Sequence, residues 1–183
     1  NFSLKEVIET ETAKLIARHP HVFGDEKITD SEEVKKNWER LKKNEGRKSV
    51  TDGIPEELPA LLKAYRIQEK ASKTGFDWRK PGTTEMDEKP VFEKILEELN
   101  ELKQNVENEA EHDKIEDELG DLLFSIVNYS RFLKINPEDA LRRTVRKFKY
   151  RFNKIEDYAR LNNRELEEMT LEEMDEIWNQ AKK

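Results

Sequence analysis

The sequence predicts an all-α protein, an antiparallel helical bundle. Three observations carry that reading. Apolar residues recur at helical spacing, although only 34% of the chain is apolar and 41% is charged. Every Gly and Pro except Gly120 falls at a junction between periodic stretches. No strand pattern of any length appears.

The elements can be justified in order. Helices are expected at about 3–18, 31–43, 57–73, 90–108, 111–134, 137–161 and 170–181. Gly46, Gly53 and Pro55 mark residues 44–56 as a linker. Gly75, Pro81, Gly82 and Pro90 mark residues 74–90 as a long loop. Asn136-Pro137-Glu138-Asp139 is a strong start signal: a cap, Pro at the first helical position, then acids. Thr170-Leu171-Glu172-Glu173 fits a capping box.

Composition narrows the class. With 183 residues the chain has room for one domain and an appendage. The mean hydropathy of -1.01 would suit disorder, but the periodicity of the apolar residues points to a thin-cored helical protein or an obligate oligomer. Without Cys, the chain has no disulfide, thiol catalysis or Cys-bound zinc. No signal-peptide pattern and no apolar run near about 18 residues appears, so the expected location is cytoplasmic. A net charge of -7 argues against a general nucleic-acid binder.

An internal repeat is visible. Lys14-Leu15-Ile16-Ala17-Arg18 echoes Lys147-Phe148-Lys149-Tyr150-Arg151, and the upstream starts align Ser3 with Asn136 and Glu6 with Asp139. Glu32-Glu33 with Trp38 echoes Glu172-Glu173 with Trp178. Residues 2–43 thus resemble residues 135–183, but only the later copy is preceded by an acidic helix pair.

That pair holds the candidate site. Glu98 and Glu101 on one expected helix, and Glu118 and Asp121 on the next, are two i,i+3 pairs, each on one helical face. Packed antiparallel with those faces together, four carboxylates would converge and repel each other unless hard cations neutralised them. Oxygen-only ligation suits Mg²⁺, or Mn²⁺, rather than Zn²⁺. Bound Mg²⁺ with open positions is suited to phosphate chemistry. The plain alternative is a solvated face, since 41 Asp and Glu residues give such pairs by chance. Context favours the site. Ile95, Leu96, Leu99 and Leu102 surround the first pair, and Leu119, Leu122, Leu123, Ile126 and Val127 the second, where an unpaired charge is costly. Gly120, in mid-helix at a cost of roughly 1 kcal/mol against Ala, suggests a close backbone approach.

A polyphosphate substrate also needs cations. Lys147 and Arg151 share a face with Arg143 and Lys154. Lys94 and Lys114 stand one turn before Glu98 and Glu118, and could pair with them or swing toward phosphates. Asn128 continues the face of Glu118 and Asp121. Trp178, near the end of a charged helix, could stack on a base. Trp78, after Gly75-Phe76-Asp77, could line a base pocket. His19 and His21 read as structural, and His112 as exposed.

The sequence Glu97-Glu98-x-x-Glu101 with Glu118-x-x-Asp121 resembles the signature of the all-α nucleoside triphosphate pyrophosphohydrolases of the MazG type. The resemblance covers essentially the whole chain. It includes Arg18-His19-Pro20-His21-Val22-Phe23, Ile54-Pro55 with Leu58-Pro59-Ala60-Leu61, Gly75-Phe76-Asp77-Trp78, and Glu118 to Phe124. It implies tandem modules: residues 1–43 as the end of a first, truncated module, 44–56 as a linker, and 57–183 as a complete second module. It also implies that Glu98, Glu101, Glu118 and Asp121 hold Mg²⁺, with Glu97 as a general base or an orienting group. Lys94, Lys114, Lys147, Arg151, Trp178 and Lys182 match nucleotide-contacting positions. The implied reaction is hydrolysis of NTPs and dNTPs, with broad base preference, to monophosphate and pyrophosphate by a dimer or higher oligomer.

Two other classes are open to the sequence. A ferritin-like di-metal bundle would want Glu-x-x-His motifs, and neither acidic helix carries His at that spacing. A non-catalytic helical interaction module remains the alternative to an enzyme.

Overall fold

The computed structural model describes residues 3–18, 20–23 and 49–182, and the chain divides into two units, residues 1–53 and 54–183. The first unit contains α1 (Leu4–Arg18) and the single turn α2 (Pro20–Phe23). At the start of α1, Ser3 Oγ accepts from the Glu6 backbone N–H at 3.2 Å, and the Glu6 carboxylate accepts from the Ser3 N–H at 2.6 Å. This reciprocal cap satisfies two N–H groups that lack helical partners. The helix expected at 31–43, with Trp38, and the Arg18 and His21 side chains lie outside the described residues, as do His19 and the start of the 44–56 linker.

The second unit contains α3 (Ala60–Ser72), α4 (Glu88–Glu107), α5 (His112–Phe132), α6 (Pro137–Leu161), a short 3-10 turn at Leu166–Glu168, and α7 (Leu171–Gln180). Among the described residues no strand forms. The long loop between α3 and α4 carries an isolated bridge between Arg79 and Met86. α3 begins three residues later than expected, because Pro59 sits extended at its cap with φ −50 and ψ 142. α4 begins earlier than expected, at Glu88, capped by Asp87 Oδ1 accepting from Lys89 N–H at 3.2 Å. Pro90 is tolerated because it occupies the third helical position, whose N–H has no partner within the helix.

Caps fix the remaining starts. Asn136 Oδ1 accepts from the N–H groups of Glu138 and Asp139 at 3.0 and 3.3 Å. Thr170 Oγ1 accepts from Glu173 N–H at 3.2 Å, while the Glu173 carboxylate accepts from Thr170 N–H at 2.9 Å. Three helices end alike, without glycine. Glu109, Lys134 and Asn163 adopt φ of 50, 57 and 49. The next residue's N–H then reaches back to a carbonyl of the last turn: Ala110 to Asn105 at 2.9 Å, Ile135 to Ser130 at 2.8 Å, Arg164 to Ala159 at 2.9 Å.

α4 and α5, joined by residues 108–111, pack against each other as an antiparallel hairpin. α3 lies on α5, and α6 meets α3 and α7. The core is thin. Among the described residues the buried apolar side chains are Val91 and Val127 in the hairpin region, Pro137 at the start of α6, and Ile155, Ala159 and Met169 at the C-terminal pair. Phe152, Met174, Ile177 and Trp178 pack on that second cluster. Residues 139–150 of α6 are exposed throughout. No described helix is long and apolar enough to cross a membrane.

Candidate active site

Hairpin geometry builds the site. The i,i+3 spacing places Glu118 and Asp121 on one face of α5, and the turn at residues 108–111 brings that face back along α4 to Glu98. Glu98, Glu118 and Asp121 each offer a carboxylate oxygen, all within 4.8 Å of one another. Their setting is graded: Glu98 is 4% exposed, Glu118 half-buried and Asp121 exposed. The hydrogen-bond partners are few. Glu98 Oε1 receives Lys94 Nζ at 2.7 Å, and Glu118 Oε1 receives Asn105 Nδ2 at 3.0 Å. Lys94 Nζ also donates to Glu97 Oε1 at 2.8 Å. Those two bonds, Glu97's first and then Glu98's, push the Lys94 ammonium well above its ordinary pKa, so it stays charged.

Glu101, the fourth acid of the motif, stands outside this group of three. It is exposed, and lost hydration, then the charges of Glu98, Glu118 and Glu97, raise its carboxyl above the ordinary value. The excess of negative charge therefore extends beyond the three converging oxygens. Oxygen donors alone, with one Lys and one Asn amide to offset them, are a donor set that fits a hard divalent cation. The sequence motive given for Gly120 fails within the single chain: a Cβ there would meet nothing within 4 Å.

A cavity of about 390 Å³ opens beside the cluster and is lined by Lys94, Glu98 and Asp121 together with Gln68, Phe76, Asp77, Trp78, Phe124, Asn128 and Arg131. Trp78 and Asn128 thus lie in the wall, as the loop and helix-face readings expected. Gln68 and Arg131 are not among the candidate residues read from the sequence, and Asp77 enters there only as part of Gly75-Phe76-Asp77-Trp78. Arg131 Nη2 donates to Asp77 Oδ1 at 2.7 Å and to Asn128 Oδ1 at 3.0 Å, tying the long loop to α5. The two charges are deeply placed, Asp77 with 1% of its side chain exposed and Arg131 with 11%. Gln68 Nε2 donates to the Phe124 carbonyl at 2.9 Å, tying α3 to α5. Arg131 could have been found: it follows Asn128 by three residues on the same face.

The other expected nucleotide contacts lie elsewhere. Lys114 is exposed in the first turn of α5, and Lys147 is exposed on α6. Arg151 sits over the Trp178 ring at 5.4 Å, with Phe148 edge-on to that ring at 5.1 Å. Lys182 Nζ donates to Asn179 Oδ1 at 2.6 Å. None of these lines the cavity beside the carboxylates. A larger hollow of about 710 Å³ lies between α6 and α7, but it contains none of the three clustered acids, so size alone does not locate the site.

Fold and site define a class: all-helical proteins in which two antiparallel helices gather carboxylates at the mouth of a cavity. Comparison with known proteins narrows it. Residues 87–155 match the MazG nucleotide pyrophosphohydrolase domain, a segment that contains every acid of the cluster. The chain is 46% identical over 184 residues to the nucleoside triphosphate pyrophosphohydrolase/pyrophosphatase MazG of Thermotoga maritima, covering 99% of this chain and 66% of that protein. It is 37% identical over 190 residues to the nucleoside triphosphate pyrophosphohydrolase of Escherichia coli K12, covering all of this chain and 68% of that one. It is also 42% identical over 185 residues to the uncharacterized protein YabN of Bacillus subtilis, across 36% of that protein's length. The chain belongs to the MazG family.

Proposed function

We propose that this chain hydrolyses nucleoside triphosphates, ribo and deoxy, to the monophosphate and pyrophosphate in a Mg²⁺-dependent reaction. The observation that carries the reading is the convergence of Glu98, Glu118 and Asp121 within 4.8 Å beside a cavity. The names of the Thermotoga and Escherichia coli relatives support the same activity. In the reaction a P–O bond of the α–β anhydride breaks, water supplies the new oxygen, and pyrophosphate leaves with the electron pair. Glu98, Glu118 and Asp121, with Glu101 at the rim, would hold Mg²⁺ or Mn²⁺. Such a cation offsets the cluster's charge and polarises phosphoryl oxygens. Lys94, held as a cation by Glu97 and Glu98, would meet a phosphate oxygen. Glu97 serves as a base for water or orients Lys94.

We further propose a dimer in which a second copy covers the apolar faces this chain leaves open. Leu96 and Leu99 on α4, Leu119, Leu123 and Ile126 on α5, and Leu141, Val145 and Phe148 on α6 are all exposed. Such an extent of apolar surface is unusual for a stable monomer. The second copy would also bring Lys147, Arg151, Trp178 and Lys182 to a site that their own chain does not let them line. Residues 1–43 are proposed to correspond to the later part of a first module, joined by 44–56 to the catalytic module at 57–183. A cytoplasmic location, where nucleotides are met, belongs to the same proposal.

The test is product analysis by ³¹P NMR with ATP and dNTPs. Pyrophosphate and monophosphate should form with Mg²⁺ and not with EDTA. Inorganic phosphate as the initial product, or no turnover with Mg²⁺ or Mn²⁺, would refute the activity. Light scattering showing a folded monomer at micromolar concentration would refute the dimer.

A further inference from the structure

Two buried acceptors in the cavity wall have no partner: Asp77 Oδ2 and Gln68 Oε1. Buried polar oxygens are usually hydrogen-bonded, and leaving one unpaired is costly, so each calls for an explanation. Neither side chain is free to turn away. Arg131 holds Asp77 by Oδ1, and the Phe124 carbonyl holds the Gln68 amide by Nε2, which leaves an oxygen as the remaining group in both. The Asp77 side chain is 1% exposed, and Gln68 is 8% exposed as a whole residue. An N–H or O–H donor satisfies such an oxygen, and a ligand seated in the cavity these residues line can bring one.

The cavity has the length for such a ligand. It runs along α5 from Asp121 to Arg131, ten residues or roughly 15 Å of helix. With the phosphates of a bound nucleotide at Lys94 and the carboxylates, its base would fall near Asp77 and Gln68, where Trp78 and Phe124 also line the cavity. This rests on the proposed nucleoside triphosphate activity and names the base edge it would select.

We propose that Asp77 and Gln68 read the exocyclic amino group at C4 of a pyrimidine or C6 of a purine, so that the site favours cytosine and adenine nucleotides over their oxo counterparts. An amino group carries two N–H donors and no acceptor, matching two fixed oxygens. The 4-oxo group of uracil presents an acceptor to those oxygens and leaves them unpaired. Hypoxanthine presents a 6-oxo group where adenine carries its 6-amino group, and leaves them unpaired as well. Preference among bases is thereby graded within a broad substrate range.

Matched substrate pairs test this without any variant. With Mg²⁺, wild-type kcat/KM is expected to favour CTP over UTP, and ATP over ITP, by at least on the order of tenfold, the cost of one unpaired buried acceptor. Asp77→Asn sharpens the test. Its amide oxygen would still accept from Arg131, leaving the NH₂ donor where Oδ2 stood. The CTP preference should then shrink or invert toward UTP, with ATP over ITP moving the same way. If Asp77→Asn does not fold, the wild-type ratios decide alone. Equal kcat/KM within both pairs, with turnover present, overturns this inference and leaves the activity standing. No turnover of any nucleotide overturns the activity, and the inference with it.

Discussion

The α4–α5 hairpin and the α6–α7 pair are both rich in glutamate, and they settle that charge in opposite ways. At the C-terminal pair, Arg164 Nη1 and Nη2 donate to the two Glu173 oxygens at 2.8 and 3.0 Å, and Thr170 N–H donates to one of them at 2.9 Å. These partners, Arg164 first, hold the Glu173 carboxyl down at about 2. In the hairpin, Glu101 is pushed the other way by lost hydration and by Glu98, Glu118 and Glu97. The apolar side chains divide likewise. Ile155, Ala159 and Met169 form a closed cluster at α6–α7, whereas Leu96, Leu99, Leu119 and Leu123 of the hairpin remain exposed. One region is complete within the chain. The other leaves its carboxylates without a matching set of cations and an apolar face exposed.

The largest expected effect comes from removing charge at the open region. Glu118→Gln or Asp121→Asn should reduce pyrophosphate release by roughly 10²–10³-fold, with the circular dichroism of the helices unchanged. Either change also relieves repulsion, so the metal-free protein should melt at a higher temperature than wild type. Wild-type turnover by a well-folded variant would take these residues out of the mechanism.

A smaller effect is expected from the basic face of α6. Lys147→Ala and Arg151→Ala should weaken nucleotide affinity while sparing Mg²⁺ binding, both measured by calorimetry. Arg151→Ala has a second cost, its contact over Trp178, worth about 0.5–1 kcal/mol. Unchanged nucleotide affinity and kinetics in both variants would return the stripe to a solvated surface.

Acid sharpens the contrast further. The folded pKa of Glu173, about 2, lies below its ordinary value of 4.5. The unfolded chain therefore takes up this proton first. Glu173's contribution to stability is full above about 4.5 and is lost as pH falls toward about 2. Glu173→Gln should melt lower than wild type at neutral pH, and the gap should close in acid. A gap that is constant from pH 7 to 3 would remove the Arg164–Glu173 pair as its cause. The smallest effect concerns helix ends: Glu109→Gly should leave the hairpin intact and raise stability by up to about 1 kcal/mol, since Glu109 sits at φ 50. Chemical denaturation measures it.

What the sequence could reveal followed from locality. Caps such as Asn136 and Thr170 act within three residues, and the shared face of Glu118 and Asp121 needs only one helical turn. Helix ends at Glu109, Lys134 and Asn163 carry no glycine, so their left-handed residues gave no signal. The start of α4 was misread because Pro90 stands inside the first turn rather than at its edge. Asp77 and Arg131 are 54 residues apart, joined only when the long loop folds onto α5, and no periodicity announces such a pair. Gly120 shows the converse: a rule broken in the sequence, with open space around it in the single chain.

The claim beneath all of this is that the hairpin tolerates Glu98, Glu118 and Asp121 together because a divalent cation joins them. Thermal unfolding at neutral pH, with Mg²⁺ or Mn²⁺ against EDTA, in wild type and Asp121→Asn, tests it most directly. Wild type should gain several degrees in Tm with either metal, saturably, and Asp121→Asn should lose most of that gain. Identical melting of wild type with metal and with EDTA, or an equal gain in the variant, would contradict the claim.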